Sequence, residues 1–572
     1  MRHKKRWIFL ALIVIAVIAF VLARREPHVE PGTYLMVDIG GAYAEEPPSD
    51  LVGHLVGSDE NILAEVLLEL QKAAVDTRIE GIIAKISPLE VDFATLQEMR
   101  AALHRIRTAG KRVIAWVSGE SASGNREYYL ASIADRIYYA ENTMLPLLGL
   151  RATYLFLGGV WDNLHVDMQV EQIGKYKTFG DFLSRQSMSE AHREMANAIL
   201  DSLHEQFIGD IAQSRGLTQQ QVQALIDAPV LTPADFQHAG LIDGVQYYTR
   251  VLDELGAPNG QPVPTMPLSV YRQVKPTSVG LMRGPKLAVV FGVGGVTTGE
   301  SSWSATGQLM GAETIIDAFK HATKDDEVRA IVCRVDSPGG SALASDLIWH
   351  AVMEAKAKKP VVVSMSSVAG SGGYYVAAGA TKIVAQPATL TGSIGVVFSL
   401  PNVHGLLATL GVTTESLERG RYARLFDASK TWSPEERQQV QRLLETVYGT
   451  FTDKVATGRG MSREEVDRIG RGRVWTGVQA QALGLVDQLG GLETAVQTAK
   501  EIAGIPLESS VQLVFYPKAK GMVEALLERL QSRVGTSITL PKALRPWQLA
   551  LMSLAAIDQA PLVMMPFLMH MQ

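Results

Sequence analysis

Ser123-Gly124-Asn125-Arg126-Glu127-Tyr128-Tyr129-Leu130-Ala131 and Ala369-Gly370-Ser371-Gly372-Gly373-Tyr374-Tyr375-Val376-Ala377 are two versions of one stretch. Their tyrosine pairs lie 246 positions apart, which sets Ser371 on Asn125. At the same offset Gly174-Lys175-Tyr176-Lys177 falls on Gly420-Arg421-Tyr422-Ala423. One copy keeps a serine and the other keeps a lysine, Lys177, where its twin has Ala423. A Ser–Lys pair divided between two copies of one domain implies that the copies use it together.

The repeat extends well beyond these motifs. Lys85-Ile86-Ser87-Pro88 answers Val335-Asp336-Ser337-Pro338, and Gly216-Leu217-Thr218 answers Gly460-Met461-Ser462. Two units of about 220 residues match ordinary domain sizes. The chain therefore divides into an N-terminal stub and anchor (1–26), a first unit (31–257), a Pro/Gly/Asn-rich linker (258–285), a second unit (286–510) and an apolar, Met-rich extension (511–572). Inside the second unit, β-branched runs at 330–335 and 360–365 alternate with helical patterns at Ala342–Lys356 and 374–380. Such alternation predicts an α/β fold with a largely parallel sheet. The Ser/Gly-rich stretch 299–311 reads as a surface loop. In the extension, Pro561 and Pro566 oppose a second spanning helix. The expectation there is packing against the second unit or a subunit contact, with the lining of a substrate cavity as the alternative.

Composition excludes some functions. A net charge of −5 provides no concentrated basic face for nucleic acid. The single cysteine, Cys333, cannot form an intrachain disulfide, and its apolar neighbours predict a buried structural thiol. Arg2-His3-Lys4-Lys5-Arg6 precedes 17 apolar residues (7–23), followed by Arg24-Arg25. This is the short end for a spanning helix and the long end for a signal-peptide core. The arginines directly after it make a poor cleavage site and favour an uncleaved anchor. The heavier positive charge ahead of the span places the N-terminus in the cytoplasm and the body outside.

The chemistry centres on Ser371. Its flanking glycines allow a sharp turn that aims a backbone amide at a reacting carbonyl, and the helix that follows adds its positive end. The alternative is a serine that merely caps that helix. Gly339-Gly340, after a strand, offer further amides, whereas the first copy has Leu89-Glu90 there. A serine nucleophile needs a base. His350 falls on a helix near the fold's edge, and His404 stands in no recognisable partner motif. Lys177 serves only if neutral, which burial in apolar surroundings achieves. Phe179 and Phe182 can supply that surface, and Ser393 a hydrogen bond. Lys175, two residues earlier, is the rival base.

Taken together, Ser-Pro-Gly-Gly-Ser (337–341), Ala-Gly-Ser-Gly-Gly-Tyr-Tyr (369–375), Leu-Thr-Gly-Ser-Ile-Gly (390–395) and Tyr176-Lys177 resemble the long-form signal peptide peptidase A family. These are Ser–Lys peptidases of the Clp-protease/crotonase superfamily. The resemblance implies two tandem Clp-protease/crotonase-like units behind an N-terminal transmembrane helix. It implies Ser371 as nucleophile, Lys177 as general base, Ser393 as the hydroxyl that orients the lysine, and Gly339, Gly340 and Gly372 as the oxyanion hole. No metal or organic cofactor is implied. The implied substrates are signal peptides and other apolar peptides. The implied assembly is a homotetramer with a single-pass anchor in the inner membrane and its catalytic body on the periplasmic side. Two rivals are a crotonase-type acyl-CoA enzyme and a non-enzymatic membrane scaffold. The anchor weighs against the first, and the joint presence of Ser371 and Lys177 against both.

Overall fold

Apolar β-branched runs form the centre of two largely parallel sheets that share one path of strand neighbours, the second also carrying Leu390–Gly392 and, antiparallel to it, Val474–Thr476. The structure, a computed structural model, describes residues 26–46, 61–256, 262–304, 307–517 and the short strands Leu562–Met564 and His570–Met571. In the first sheet the order is Thr265–Pro267, Thr33–Gly41, Ile79–Leu89, Arg112–Val117, Arg136–Tyr139, Gly244–Val245. In the second, Gln512–Tyr516, Lys286–Val293, Val328–Ser337, Val361–Gly370, Lys382–Ala385 and Gln488–Leu489 follow the same sequence of neighbours. Every pairing along both paths is parallel. The duplication seen in the motifs is thus a duplication of topology.

This shared order moves two expected boundaries. Thr265–Pro267 lies in the stretch expected to be linker, yet it is the edge strand of the first sheet. Gln512–Tyr516 lies in the expected extension, yet it closes the second sheet in the same place. Proline is tolerated on an edge strand, so Pro264 and Pro267 disguised a short strand as a connector. The stretch expected to be a surface loop holds an antiparallel pair, Ser302–Ser304 with Gly307–Gly311.

Each unit also carries a 26-residue helix, Glu190–Arg215 and Pro434–Arg459. Both begin on a serine whose side chain accepts an N–H three residues on, Ser189 from His192 and Ser433 from Glu436. Both end on a left-handed glycine, Gly216 and Gly460, where a side chain would be strained.

A third, mixed sheet joins the two units. Its order is Ser302–Ser304, Gly307–Gly311, Gly295–Thr297, Gly339–Ser341, Leu562–Met564, Val396–Asn402, Asp167–Ile173. The last two strands come from different units and run antiparallel from Asp167↔Asn402 to Ile173↔Val396. This register delivers the chain after Ile173 and the chain before Val396 to the same end of the ladder. Lys177 and Ser393 lie on those two segments.

The units share buried ionic contacts as well. The Arg334 guanidinium is 1% exposed and bonds Glu45 and Glu98 from the first unit, with Ser364 and Ser366 beside it. A buried charge is tolerable only with such full compensation. Cys333 is buried, and burial pushes its thiol up to about 12. The expected anchor, 7–23, lies outside the described residues. Among the described residues no helix is long and apolar enough to cross a membrane.

Candidate active site

Strand Val361–Gly370 ends at Ser371, which opens the helix Gly372–Ala377. Ser371 has φ +56° and ψ −111°, a conformation that L-residues rarely adopt. Strain of this kind costs about 1–3 kcal/mol and persists only where its surroundings enforce it. Here the Ser371 N–H donates to Gly392 O at 2.8 Å, which pins the turn. The Ser371 hydroxyl does not cap the helix. It lies 2.7 Å from Lys177 Nζ, with both residues fully buried.

Lys177 Nζ has two other neighbours, the Ser393 carbonyl and the Ser393 hydroxyl, each at 2.9 Å. A neutral amine has two N–H groups and one lone pair. Donation to the two Ser393 oxygens leaves the lone pair for the Ser371 hydroxyl proton. Burial alone drives the Lys177 pKa well below the usual lysine range, with no carboxylate to hold the charge. Lys72 sits among different neighbours. It is equally buried, but Glu69 lies 2.6 Å away and the carbonyls of Tyr271 and Val274 accept from it.

Beside this pair runs the glycine strand Gly339–Ser341. Gly372 faces it so closely that a Cβ would stand 3.1 Å from Gly339 Cα and 3.2 Å from Gly340 N. The strand therefore reaches the start of the Ser371 helix only because neither side carries a side chain. The arrangement can hold an acyl group on a serine with backbone amides alongside.

The sequence pattern of peptidase family S49 matches this chain twice, over residues 105–260 and 353–506. The chain belongs to peptidase family S49. Serine protease SPPA, chloroplastic, from Arabidopsis thaliana is 34% identical over 81% of this chain and 69% of its own length. Protease 4 from Salmonella typhi is 32% identical over 82% of this chain and 78% of its own. Protease 4 from Haemophilus influenzae is 28% identical over 78% and 74%. The chain is a serine peptidase, and the two matched regions are the tandem repeat.

In this S49 peptidase the structure brings Ser371, Lys177 and Ser393 within direct contact and sets Gly339, Gly340 and Gly372 beside them. The histidines are elsewhere. His350 sits exposed on its helix near Glu354, and His404 opens the helix His404–Thr409. Lys175 projects to solvent, 3.9 Å from Glu194. Phe179 and Phe182 are buried with Met168, Leu183 and Val397 on the flank of the lysine loop.

The glycine strand differs from the expectation of free amides. Gly339 N–H donates to Ser337 Oγ at 3.2 Å, and Ser337 Oγ–H in turn donates to Gly294 O at 2.7 Å. Gly340 pairs with Val296 on one side, and Gly339–Ser341 pair with Met564–Leu562 on the other. Sequence reading also passed over the segment Gly470-Arg471-Gly472-Arg473. Arg471 O accepts from Tyr176 N–H at 2.9 Å, and Arg473 O accepts from Ser393 N–H at 2.7 Å. The only local signal was the pair of glycines. A Cβ on Gly472 would fall 2.4 Å from Lys177 N.

Proposed function

We propose that this S49 peptidase uses Ser371 as nucleophile and Lys177 as general base, and that its substrates are signal peptides left in the membrane. The observation that carries the first part is the 2.7 Å contact between Lys177 Nζ and Ser371 Oγ, both fully buried, with burial alone holding the lysine pKa down. Neutral Lys177 takes the Ser371 proton as Oγ attacks the peptide carbonyl. Gly339 N–H is already given to Ser337 Oγ, and Gly340 is laddered on both sides. The oxygen that gains charge therefore falls first to the Gly372 amide, at the start of the Ser371 helix, and to Gly340 only where a substrate displaces its strand partner. The resulting ammonium returns its proton to the leaving amine, and water then resolves the acyl-enzyme under the same base. Ser393 fixes the amine by accepting its two N–H groups. Each unit has the Clp-protease/crotonase-type architecture, and the site is complete only with both.

The substrate class rests on the family resemblance and on the apolar run 7–23, which would tether the body beside the bilayer on its external side. Remnant signal peptides are apolar and leave the membrane at that surface. A homotetramer in the inner membrane completes the reading.

A fluorophosphonate probe tests it. The wild-type chain should label at Ser371 and cleave an apolar peptide. Ser371→Ala should lose both, with kcat down on the order of a millionfold. Cleavage by purified Ser371→Ala at the wild-type rate would overturn the assignment.

A further inference from the structure

Arg473 belongs to the second unit, but its side chain reaches across to the first. Its guanidinium carbon lies 4.6 Å from the centre of the Tyr176 ring, and Tyr176 directly precedes Lys177. The Trp475 ring lies at the same 4.6 Å distance. Arg473 also donates to Glu194 Oε1 at 2.5 Å, an oxygen that Tyr176 O–H reaches at 2.7 Å. Glu194 belongs to the long helix Glu190–Arg215 of the first unit. Meanwhile the Arg473 carbonyl holds Ser393 N–H, and Ser393 holds the lysine amine. One residue thus grips the lysine's chain neighbour with its side chain and the lysine's hydrogen-bond partner with its backbone.

The steric frame is equally tight. Gly472 abuts the backbone of Lys177, and Gly174 abuts Arg471, whose carbonyl carbon would be 2.4 Å from a Cβ there. The lysine loop therefore rests on the segment 471–473 as on a template. A planar guanidinium can stack and form a directed ion pair at once, which an ammonium cannot.

We propose that Arg473 is a positioning residue, which sets the alignment of Lys177 against Ser371 and keeps water from the lysine amine by stacking on Tyr176 and pairing with Glu194. This rests on the Ser371–Lys177 reading above. Its consequence is kinetic. If Tyr176 loosens, the amine meets water, and Lys177 regains affinity for its proton. The neighbouring charged groups do not substitute for this effect. Lys175 and Glu194 lie at the Tyr176 ring, Arg471 pairs with Asp467, and Asp181 faces His192 and Ser189 N–H. The Ser371 helix, Gly372–Ala377, carries no charged residue.

The test uses the full chain and active-site titration with a fluorophosphonate. Arg473→Ala should label at the same serine but at least about tenfold more slowly per titrated site. Its kcat should fall by a similar factor with KM little changed. Its rate–pH profile should shift to higher pH, so that part of the loss is recovered on the alkaline side. Arg473→Lys should fall between wild type and Arg473→Ala, since it keeps the charge and loses the stack. Tyr176→Phe keeps the ring and should stay within a few-fold of wild type, whereas Tyr176→Leu should behave like Arg473→Ala. A drop in the number of titratable sites, with normal rate and normal pH midpoint per remaining site, would show a purely structural role and overturn the proposal. Unchanged kinetics in Arg473→Ala would do the same. Failure of the underlying reading is separately visible, because wild-type enzyme would then not label at Ser371.

Discussion

In the second unit, the strand end carries a serine at φ +56° whose hydroxyl meets a buried amine. In the first unit the same place carries Asn125, which is simply the first residue of the helix Asn125–Ala131. Its amide group ties down a loop, with Oδ1 accepting from Leu148 N–H at 3.0 Å and Nδ2 donating to Gly149 O at 2.6 Å. The neighbouring oxyanion-type position is closed too. Leu89, the counterpart of Gly339, donates its N–H to Glu127 Oε1 at 2.6 Å. Glu127 stands where the second unit has Gly373, at which a Cβ would crowd Ser337 O at 2.8 Å. The silent copy is therefore not an emptied one. The Leu89 amide and the Asn125 side chain both find partners within the first unit.

The largest effect should come from breaking the division of labour at its lysine. Lys177→Arg places a permanently charged group where a neutral amine is needed, and should lower kcat by about a thousandfold. Lys175→Arg, exposed beside Glu194, should stay within about twofold of wild type. In the wild type, burial depresses the Lys177 pKa, so Lys177 acting as the proposed base would become competent as pH rises through that lowered value. Activity should climb with pH to a plateau on the mildly alkaline side. Steady-state kinetics on the two arginine variants decide the matter, and an active Lys177→Arg enzyme would end the Ser–Lys reading.

A second experiment asks how deeply the first unit is silenced. Restoring its serine with Asn125→Ser in a Ser371→Ala background should give no fluorophosphonate labelling at position 125. The Leu89 amide is still filled by Glu127, and the place of the lysine is still Ala423. Labelling there would show that the loss of one hydroxyl is all that separates the copies. Asn125→Ala should instead cost about 2 kcal/mol of stability, by leaving the Leu148 and Gly149 groups unpaired. The measurement is the denaturant midpoint, with kcat per titrated site unchanged.

Much of this contrast was legible in the sequence because it is written in aligned residue pairs. The serine, the lysine and the missing glycines all occur at fixed offsets, and the parallel α/β sheets follow from alternating β-branched and helical runs. What stayed hidden has a different physical form. Thr265–Pro267 and Ser302–Ser304 are too short to show a period, and exist because neighbouring strands offer them a ladder. The Glu127 plug looks like any helical glutamate until Leu89 is folded against it. Arg473 is invisible for the same reason, since its partners Tyr176 and Glu194 are nearly three hundred positions away and no local pattern links them.

The smallest expected effect concerns the C-terminal segment, which touches the two copies differently. Leu562–Met564 lies antiparallel on Gly339–Ser341 and reaches Val397 on its other side. His570–Met571 pairs with Ala152–Thr153 of the first unit. If an extended peptide substrate pairs its main chain with the glycine strand beside Ser371, it needs the edge on which the first of these ladders lies. A tethered strand competes at an effective concentration of about millimolar. Ending the chain after Pro517 should therefore lower KM for an apolar peptide by roughly threefold to tenfold with kcat unchanged. A synthetic peptide of residues 558–569 added to that shortened enzyme should restore the higher KM as a competitive inhibitor. If the shortened chain instead loses kcat while its labelled sites remain, the strand is part of the catalytic edge and not its occupant. The glycine copy would then need the tail to complete it, just as it needs Lys177 from the other unit.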